Sequence, residues 1–552
     1  MNKGEFKNPV FLISLILCLA MAIWAVALNE NFTEVANAVF AFLTEDFAWL
    51  YLLVMFAFVI FALFMAFSKW GKIKLGPDNS KPAYSTVSWF AMLFGCGMGV
   101  GLVFWGIAEH ISHYAGPMAG IDPMTPAAAD FAMGASFMHW GIHPWANYSI
   151  IGLALAYAMY RKGKAALISS ALEPVIGEKN AKGVLGKVID ILAIFATMAG
   201  VVTSLGLGVL QINAGLNYLF GIPTDLTVQI IIICVISVIF IGSAVLGIKK
   251  GISKISDLNL YIALGIMVVC LIVGPTLAIM NNFVGGMGEY IGTIIQSSLD
   301  ISAYGDNGWM LGWRVFYWAW WIAWAPFVGV FIARISRGRT VREFVLGVVL
   351  VPAIASIIWF SIFGSMGLSL AETGAITPDE VSAIAAAPET GLFMVLTKYP
   401  IGLIISVVMI ILCFTFFITS ANSGTFVLGM LSSKGNQEPP NSKKILWGIV
   451  LTVMAIGLLI AGGLKPLQTI SIAAAFPFIF IMIAAMAALV KGFSHDKDTP
   501  NMGDPDFVPD PDVPVDPELE EMLKAEAEEA AAAAAAAAEA EAEEQAAEPV
   551  AS

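Results

Sequence analysis

Three short segments carry residue types whose spacing can do chemistry. The first is Gly95-Cys96-Gly97-Met98-Gly99-Val100-Gly101, with glycine at four alternate positions. Each glycine costs a helix about 1 kcal/mol relative to alanine. Gly95/Gly99 and Gly97/Gly101 have the spacing of close helix packing, but one pair suffices for that. Alternation puts glycine on every face and predicts a helix that opens here. Opened backbone at membrane depth is tolerated where it lines a cavity, and its freed carbonyls can hold a cation. The second segment is aromatic. Trp318, Trp320, Trp321 and Trp324 follow Trp313 closely, and Trp140, Trp145 and Tyr148 form a smaller cluster. Such residues can form an interfacial belt, which suits Trp313. The deeper ones share faces at i, i+3, and indole faces attract organic cations, above all quaternary ammonium groups. The third is Phe414-Thr415-Phe416-Phe417-Ile418-Thr419-Ser420-Ala421-Asn422-Ser423. Thr419 and Ser420 either bond back to their own helix or offer hydroxyl oxygens to a small hard cation such as Na⁺.

Other chemistry finds little support. No HExxH, P-loop or CxxC motif occurs, and His139 and His143 have no acidic residue near them in sequence. Glu109 and Asp190 stand at the ends of apolar runs and Asp130 at the start of one, so no carboxylate chain for a proton pump is visible. The five cysteines (Cys18, Cys96, Cys234, Cys270, Cys413) lie in apolar runs without metal-ligand spacing. Intramembrane catalysis is therefore not expected.

The elements that must position these segments are membrane helices. Of 552 residues, 59 % are hydrophobic and only 12 % charged, too few charges to cover several water-facing domains. Apolar runs long enough to span a bilayer, about 20 residues, fall near 10–28, 48–68, 86–107, 130–160, 188–216, 227–247, 256–281, 313–334, 344–368, 396–431, 445–464 and 470–490. Twelve spans with both termini cytoplasmic place 23 Lys and Arg residues inside and only Arg314, Lys398 and Lys465 outside. Ala25-Val26-Ala27 looks like a signal-peptidase site, but the first run reads as a retained helix. The net charge of −13 resides in the tail, where residues 496–552 contribute −16 and the remainder +3. No basic stripe suggests nucleic acid. Two outer segments are long, 283–311 and 369–395, and Tyr290 to Leu299 predicts a short surface helix. The tail begins Pro/Asp-rich, predicting extended disorder, and continues Ala/Glu-rich from Glu518 to Glu548.

Together these segments closely resemble the betaine/choline/carnitine transporter family over about residues 8–492. Gly312 to Trp321 resembles its signature, Gly97–Gly101 its glycine stretch, and Trp140, Trp145 and Tyr148 with Trp321 its tryptophan box. Ala333 to Arg339 resembles its inner loop, and Thr419 to Ser423 its sodium-site helix. The resemblance implies an all-α membrane protein of 12 transmembrane helices with a LeuT-like pair of inverted five-helix repeats, helices 3–7 (86–282) and 8–12 (312–492). Two leading helices (1–85), an outer loop (283–311) and the acidic cytoplasmic tail (493–552) complete it. A homotrimer in the bacterial inner membrane, working by alternating access, is also implied.

The family's roles carry over by residue. Trp140, Trp145, Tyr148, Trp318, Trp320, Trp321 and Trp324, with Met98 and Gly101, would form the substrate path and cage. One sodium would lie among Gly95, Met98, Phe416, Thr419 and Ser420. A second would draw on Thr197 and Phe327, although Val201 stands where the family places a hydroxyl. Choline-carrying relatives tend to have Asp at the position of Gly101, so glycine favours a zwitterion. No Arg or Lys stands in the fifth run in place of sodium, as in the sodium-independent exchangers. Arg314 replaces a signature threonine, and His110 follows Glu109 where proline is usual. The expectation is Na⁺-coupled symport of a zwitterionic quaternary-ammonium osmolyte, glycine betaine foremost, for osmoprotection, with Na⁺ as coupling ion and no other cofactor. Choline, carnitine, ectoine and dimethylsulfoniopropionate are rival solutes, and a sensor that binds without transporting is the rival class.

Overall fold

The computed structural model describes residues 8–97, 99–245 and 249–511, with 513, 524 and 532. Met98 and, apart from Lys524 and Ala532, the Ala/Glu-rich stretch lie outside the described residues. Every regular element among those described is helical, with one isolated bridge, Lys74 to Thr340.

Helix α1 (Pro9–Ala27) starts where Asn8 accepts the Val10 N–H at 3.1 Å and Pro9 presets the first turn. Helix α2 (Asn29–Phe67) has 39 residues, about 58 Å at 1.5 Å per residue. It is longer than the apolar run expected at 48–68. The glycine stretch separates α3 (Thr86–Gly97) from α4 (Val100–Ala115), with a bend of 63°. The fourth run is two helices, α5 (Pro126–Trp140) and α6 (Ile142–Ala156), broken at Gly141. A Cβ there would fall 2.6 Å from the Tyr290 hydroxyl, which accepts the Ile142 N–H at 3.0 Å. Only glycine lets that tyrosine satisfy the exposed start of α6.

A π turn (Tyr157–Arg161) and three single turns, α7 (Ile168–Ala171), α8 (Glu173–Ile176) and α9 (Glu178–Ala181), lead to α10 (Val184–Phe220). There follow α11 (Leu226–Val245), α12 (Lys249–Val273) and α13 (Thr276–Leu299). The short helix expected at Tyr290–Leu299 is thus the end of a 24-residue helix that packs on α5 and carries Tyr290 to Gly141. A second π turn (Met310–Val315) enters α14 (Phe316–Ile335), and a Thr340/Glu343 capping box opens α15 (Val341–Glu372). The outer segment 369–395 holds α16 (Pro378–Ala386) and most of α17 (Pro388–Leu396). The chain closes with α18 (Gly402–Leu431), α19 (Asn441–Ile460) and α20 (Leu464–Ser494).

Ten described helices are long and apolar enough to cross a membrane, and eleven spans result when the bent α3–α4 pair counts as one. The expected count of twelve differs because α5 and α6, at 15 residues each, are each too short alone. At the centre, α14 packs on α6, α10 and α20, and α10 packs on α18.

The beginning of the tail is not free, contrary to the expected disorder. Asp496 accepts from the Arg161 Nε and Nη2 (2.6–3.0 Å), and Lys162 reaches Asn501 at 2.6 Å. Met502 donates its N–H to the Arg161 carbonyl at 2.8 Å, and Lys182 pairs with Asp510 at 2.7 Å. Basic residues after α6 thus hold residues 496–510 against the Lys/Arg-rich side. Proline prevents helix there, but these ion pairs order it.

Candidate functional site

The site is a cavity of about 540 Å³ at the α3–α4 break. Gly95, Gly99, Val100 and Gly101 line it from the break, Trp140, Trp145 and Tyr148 from α5 and α6, and Trp320, Trp321, Trp324 and Phe327 from α14. From α18 come Phe416, Thr419, Ser420 and Ser423. The segments read from sequence as three separate chemistries therefore share one space. It extends past Phe331 to Ser88 of α3 and Asp257 of α12, toward the helix ends joined by Lys/Arg-rich loops.

The aromatic walls are held by their polar edges. The Trp321 Nε1–H donates to the His139 carbonyl at 2.9 Å and the Trp324 Nε1–H to the Gly200 carbonyl at 2.7 Å. The Trp140 Nε1–H donates to Glu109 Oε2 at 2.8 Å. Trp140 meets Trp321 edge-to-face at 4.8 Å, Trp320 stacks on Trp321 at 4.7 Å, and Tyr148 stands across Trp321 at 6.4 Å. Trp140 and Trp321, fixed at both edge and face, form a pre-organised surface that suits an organic cation. Gly101 faces two of them. A Cβ there would lie 3.0 Å from the rings of both Trp140 and Trp320.

Not every expected residue reaches the cavity. Trp318 is fully buried behind it, stacked on His143 at 5.1 Å. Thr197 is buried with its hydroxyl unpartnered and does not line the cavity, whereas Phe327 does. Ser204, two turns beyond Thr197 and one beyond Val201, also lines it, with its hydroxyl 3.4 Å from the Gly200 carbonyl. Trp313 is half-buried and packs on Trp105 and His113. The Thr419 hydroxyl donates to the Thr415 and Phe416 carbonyls at 3.2 and 3.1 Å. Its lone pairs remain free for a cation, so the two readings of that hydroxyl are compatible.

Glu109 is the residue that sequence reading missed. It stands at the end of an apolar run, but the fold buries it completely behind Trp140. Its carboxylate accepts from Trp140, from the Tyr317 hydroxyl at 2.5 Å, from His139 Nδ1 at 2.7 Å and from His113 Nε2 at 3.4 Å. His139 does have an acidic partner, 30 residues away in sequence. Glu109, His113 and His139 are close enough together for a metal, yet their hydrogen bonds assign them otherwise. His113 Nδ1 accepts the Trp309 indole N–H at 3.1 Å, so its Nε2 carries the proton aimed at Glu109. A lone pair is then not directed at the shared centre. His143 Nε2 meets the Ser298 hydroxyl at 2.9 Å, but its Nδ1 has no partner, so no orienting group completes a hydrolytic triad. Arg314 is buried too, bonded to the Ser297 carbonyl and lying over Trp309 at 5.1 Å.

A cavity with aromatic walls at a helix break, inside an all-helical membrane protein, suits a carrier. The comparisons agree. Residues 9–498 match the model of the betaine/carnitine/choline family transporters. The glycine betaine transporter OpuD of Bacillus subtilis (strain 168) is 46 % identical over 492 residues, covering 89 % of this chain and 95 % of the relative. A probable glycine betaine transporter of Desulfitobacterium hafniense (strain Y51) is 44 % identical, with 90 % and 100 % covered. An ectoine/hydroxyectoine transporter of Virgibacillus pantothenticus is 41 % identical, with 90 % and 98 % covered. This multi-pass membrane protein is accordingly a transporter rather than an enzyme, and it belongs to the betaine/carnitine/choline transporter family.

Proposed function

We propose that the protein is a Na⁺-coupled symporter that carries a zwitterionic methylated ammonium solute, glycine betaine first, into a bacterial cell for osmoprotection. The observation that carries this reading is the single cavity in which the Trp140/Trp321 walls face the α3–α4 break and the Thr419/Ser420 turn. The aromatic faces take the methylated onium, which has no N–H to donate. Glu109 makes four hydrogen bonds behind Trp140 and supplies no counter-charge inside the cage. A solute carrying its own carboxylate needs none. The carboxylate meets the first N–H groups of α4, where Gly99 is extended and offers no side-chain cap.

Sodium binds between Gly95 of the break and Phe416, Thr419 and Ser420 of α18, which line one cavity, with Met98 assigned to it by the family resemblance alone. It stabilises one arrangement of α3 and α18, so solute and ion bind cooperatively. Two inverted repeats, a homotrimer and cytoplasmic termini belong to the same proposal. Ectoine is the second solute, favoured by the Virgibacillus relative. Choline, a cation without a carboxylate, finds no anion at Gly101.

Intrinsic tryptophan fluorescence of the purified protein tests the cage. Titration with glycine betaine should quench or shift emission saturably, with a lower half-saturation in Na⁺ than in K⁺. No response to glycine betaine or ectoine in either salt would remove the solute assignment. Counterflow of labelled solute in liposomes separates a carrier from a sensor, which binds without exchanging label.

A further inference from the structure

The inner half of the cavity has polar chemistry that the cage and the Thr419/Ser420 turn leave unused. Asn259 lines it from α12 and is 1 % exposed, and neither its Nδ2 nor its Oδ1 has a hydrogen-bond partner. Buried amides are costly to leave unsatisfied and are normally paired with protein, water or ligand. Ser256 stands three residues earlier on the same helix face, and Asp257 lines the same region while open to solvent.

We propose that Asn259 is a second binding point for the solute, an inner subsite whose amide N–H groups take the carboxylate of a zwitterion that has left the aromatic cage. Asp257 lines the solvent-open edge of the same region and gives it a negative charge. The assignment rests on the zwitterion reading above. A free anion would be repelled by Asp257, which favours a solute with both charges. A bare metal cation is a poor fit, because residues i and i+2 of a helix point about 200° apart and cannot close on one ion. The subsite lies between the cage and the Lys/Arg-rich side, so a solute passing inward meets it after Trp321.

The test compares glycine betaine with tetramethylammonium, which has the methylated head and no carboxylate, by equilibrium dialysis of each labelled solute against the full-length protein, which reads the cage and the inner subsite together. Asn259→Ala should weaken betaine by about tenfold, the worth of one hydrogen bond to a charged group, and leave tetramethylammonium unchanged. Asn259→Asp, nearly the same size, should weaken betaine further and hold or improve tetramethylammonium. If Asn259→Ala does not fold, Asn259→Asp carries the comparison alone. Equal shifts for both solutes, no shift for either, or a change only in Na⁺ dependence would overturn the subsite. Wild-type protein that binds tetramethylammonium but not betaine would instead overturn the zwitterion reading, and the subsite with it.

Discussion

Single side chains set the proposed cage by fixing where indole faces point. Trp321 supplies a wall against Trp140, Trp320 and Tyr148. Trp321→Ala should therefore lose most uptake of labelled glycine betaine at normal surface expression, and unchanged uptake affinity would reject the assigned cage. Glu109 acts one step behind. Glu109→Gln keeps the shape but replaces one acceptor oxygen by a donor facing Trp140, Tyr317 or a histidine. Half-saturation for betaine should rise about tenfold or more, on the scale of a lost bond to a charged group, while tetramethylammonium weakens in parallel because the whole wall moves. Equal affinities in Glu109→Gln and wild type would make the network dispensable. The aromatic residues were legible in the sequence because their type is their chemistry. Glu109 was not, because its meaning depends on partners 30, 31 and 208 residues away. Nor does sequence tell Trp318 from Trp321, since both lie on one helix and only packing against His143 turns the first away from the cavity.

Elements position these residues through breaks rather than through regular helix. The glycine run predicted the α3–α4 opening because its cost is local and intrinsic. The break at Gly141 was not predicted, because it depends on Tyr290 arriving from α13. The Thr419 and Ser420 hydroxyls sit across from the α3–α4 break on α18. Replacing both with alanine should raise the Na⁺ concentration needed for half-maximal uptake, and an unchanged Na⁺ curve would take them out of the ion site. The start of the tail is an element that composition misread. Pro/Asp-rich sequence signals disorder only when no cationic surface awaits it, and here Arg161 is 2 % exposed and bidentate to Asp496. Breaking such a buried pair by removing one partner costs about 3–5 kcal/mol. Arg161→Ala should release the segment and speed limited tryptic cleavage after Lys497. Burial pushes the Asp496 carboxyl up, but hydrogen bonds and charge from Arg161 outweigh it and hold it below its ordinary value. A carboxyl lowered in the folded state stabilises above its unfolded range and loses that contribution as pH falls through it. Amide hydrogen exchange of the segment in wild type, corrected for its intrinsic pH dependence, should therefore stay protected from about pH 8 to about pH 5 and lose protection only below about pH 4.

At the scale of the molecule, the apolar composition and sparse charge made an all-α membrane protein legible before any coordinate. The span count was less legible: ten described helices are long and apolar enough, eleven spans result with the bent α3–α4 pair, and α5 and α6, at 15 residues each, fall short alone. The cavity extends toward helix ends joined by Lys/Arg-rich loops; in the proposed orientation that side is the cytoplasmic one. The central claim is coupled transport, and reconstitution tests it most directly. Purified protein in liposomes is given labelled glycine betaine outside, with and without an inward Na⁺ gradient. Accumulation above the outside concentration only with the gradient is the predicted result. Uptake indifferent to Na⁺ but dependent on internal solute would contradict it and make the protein an exchanger.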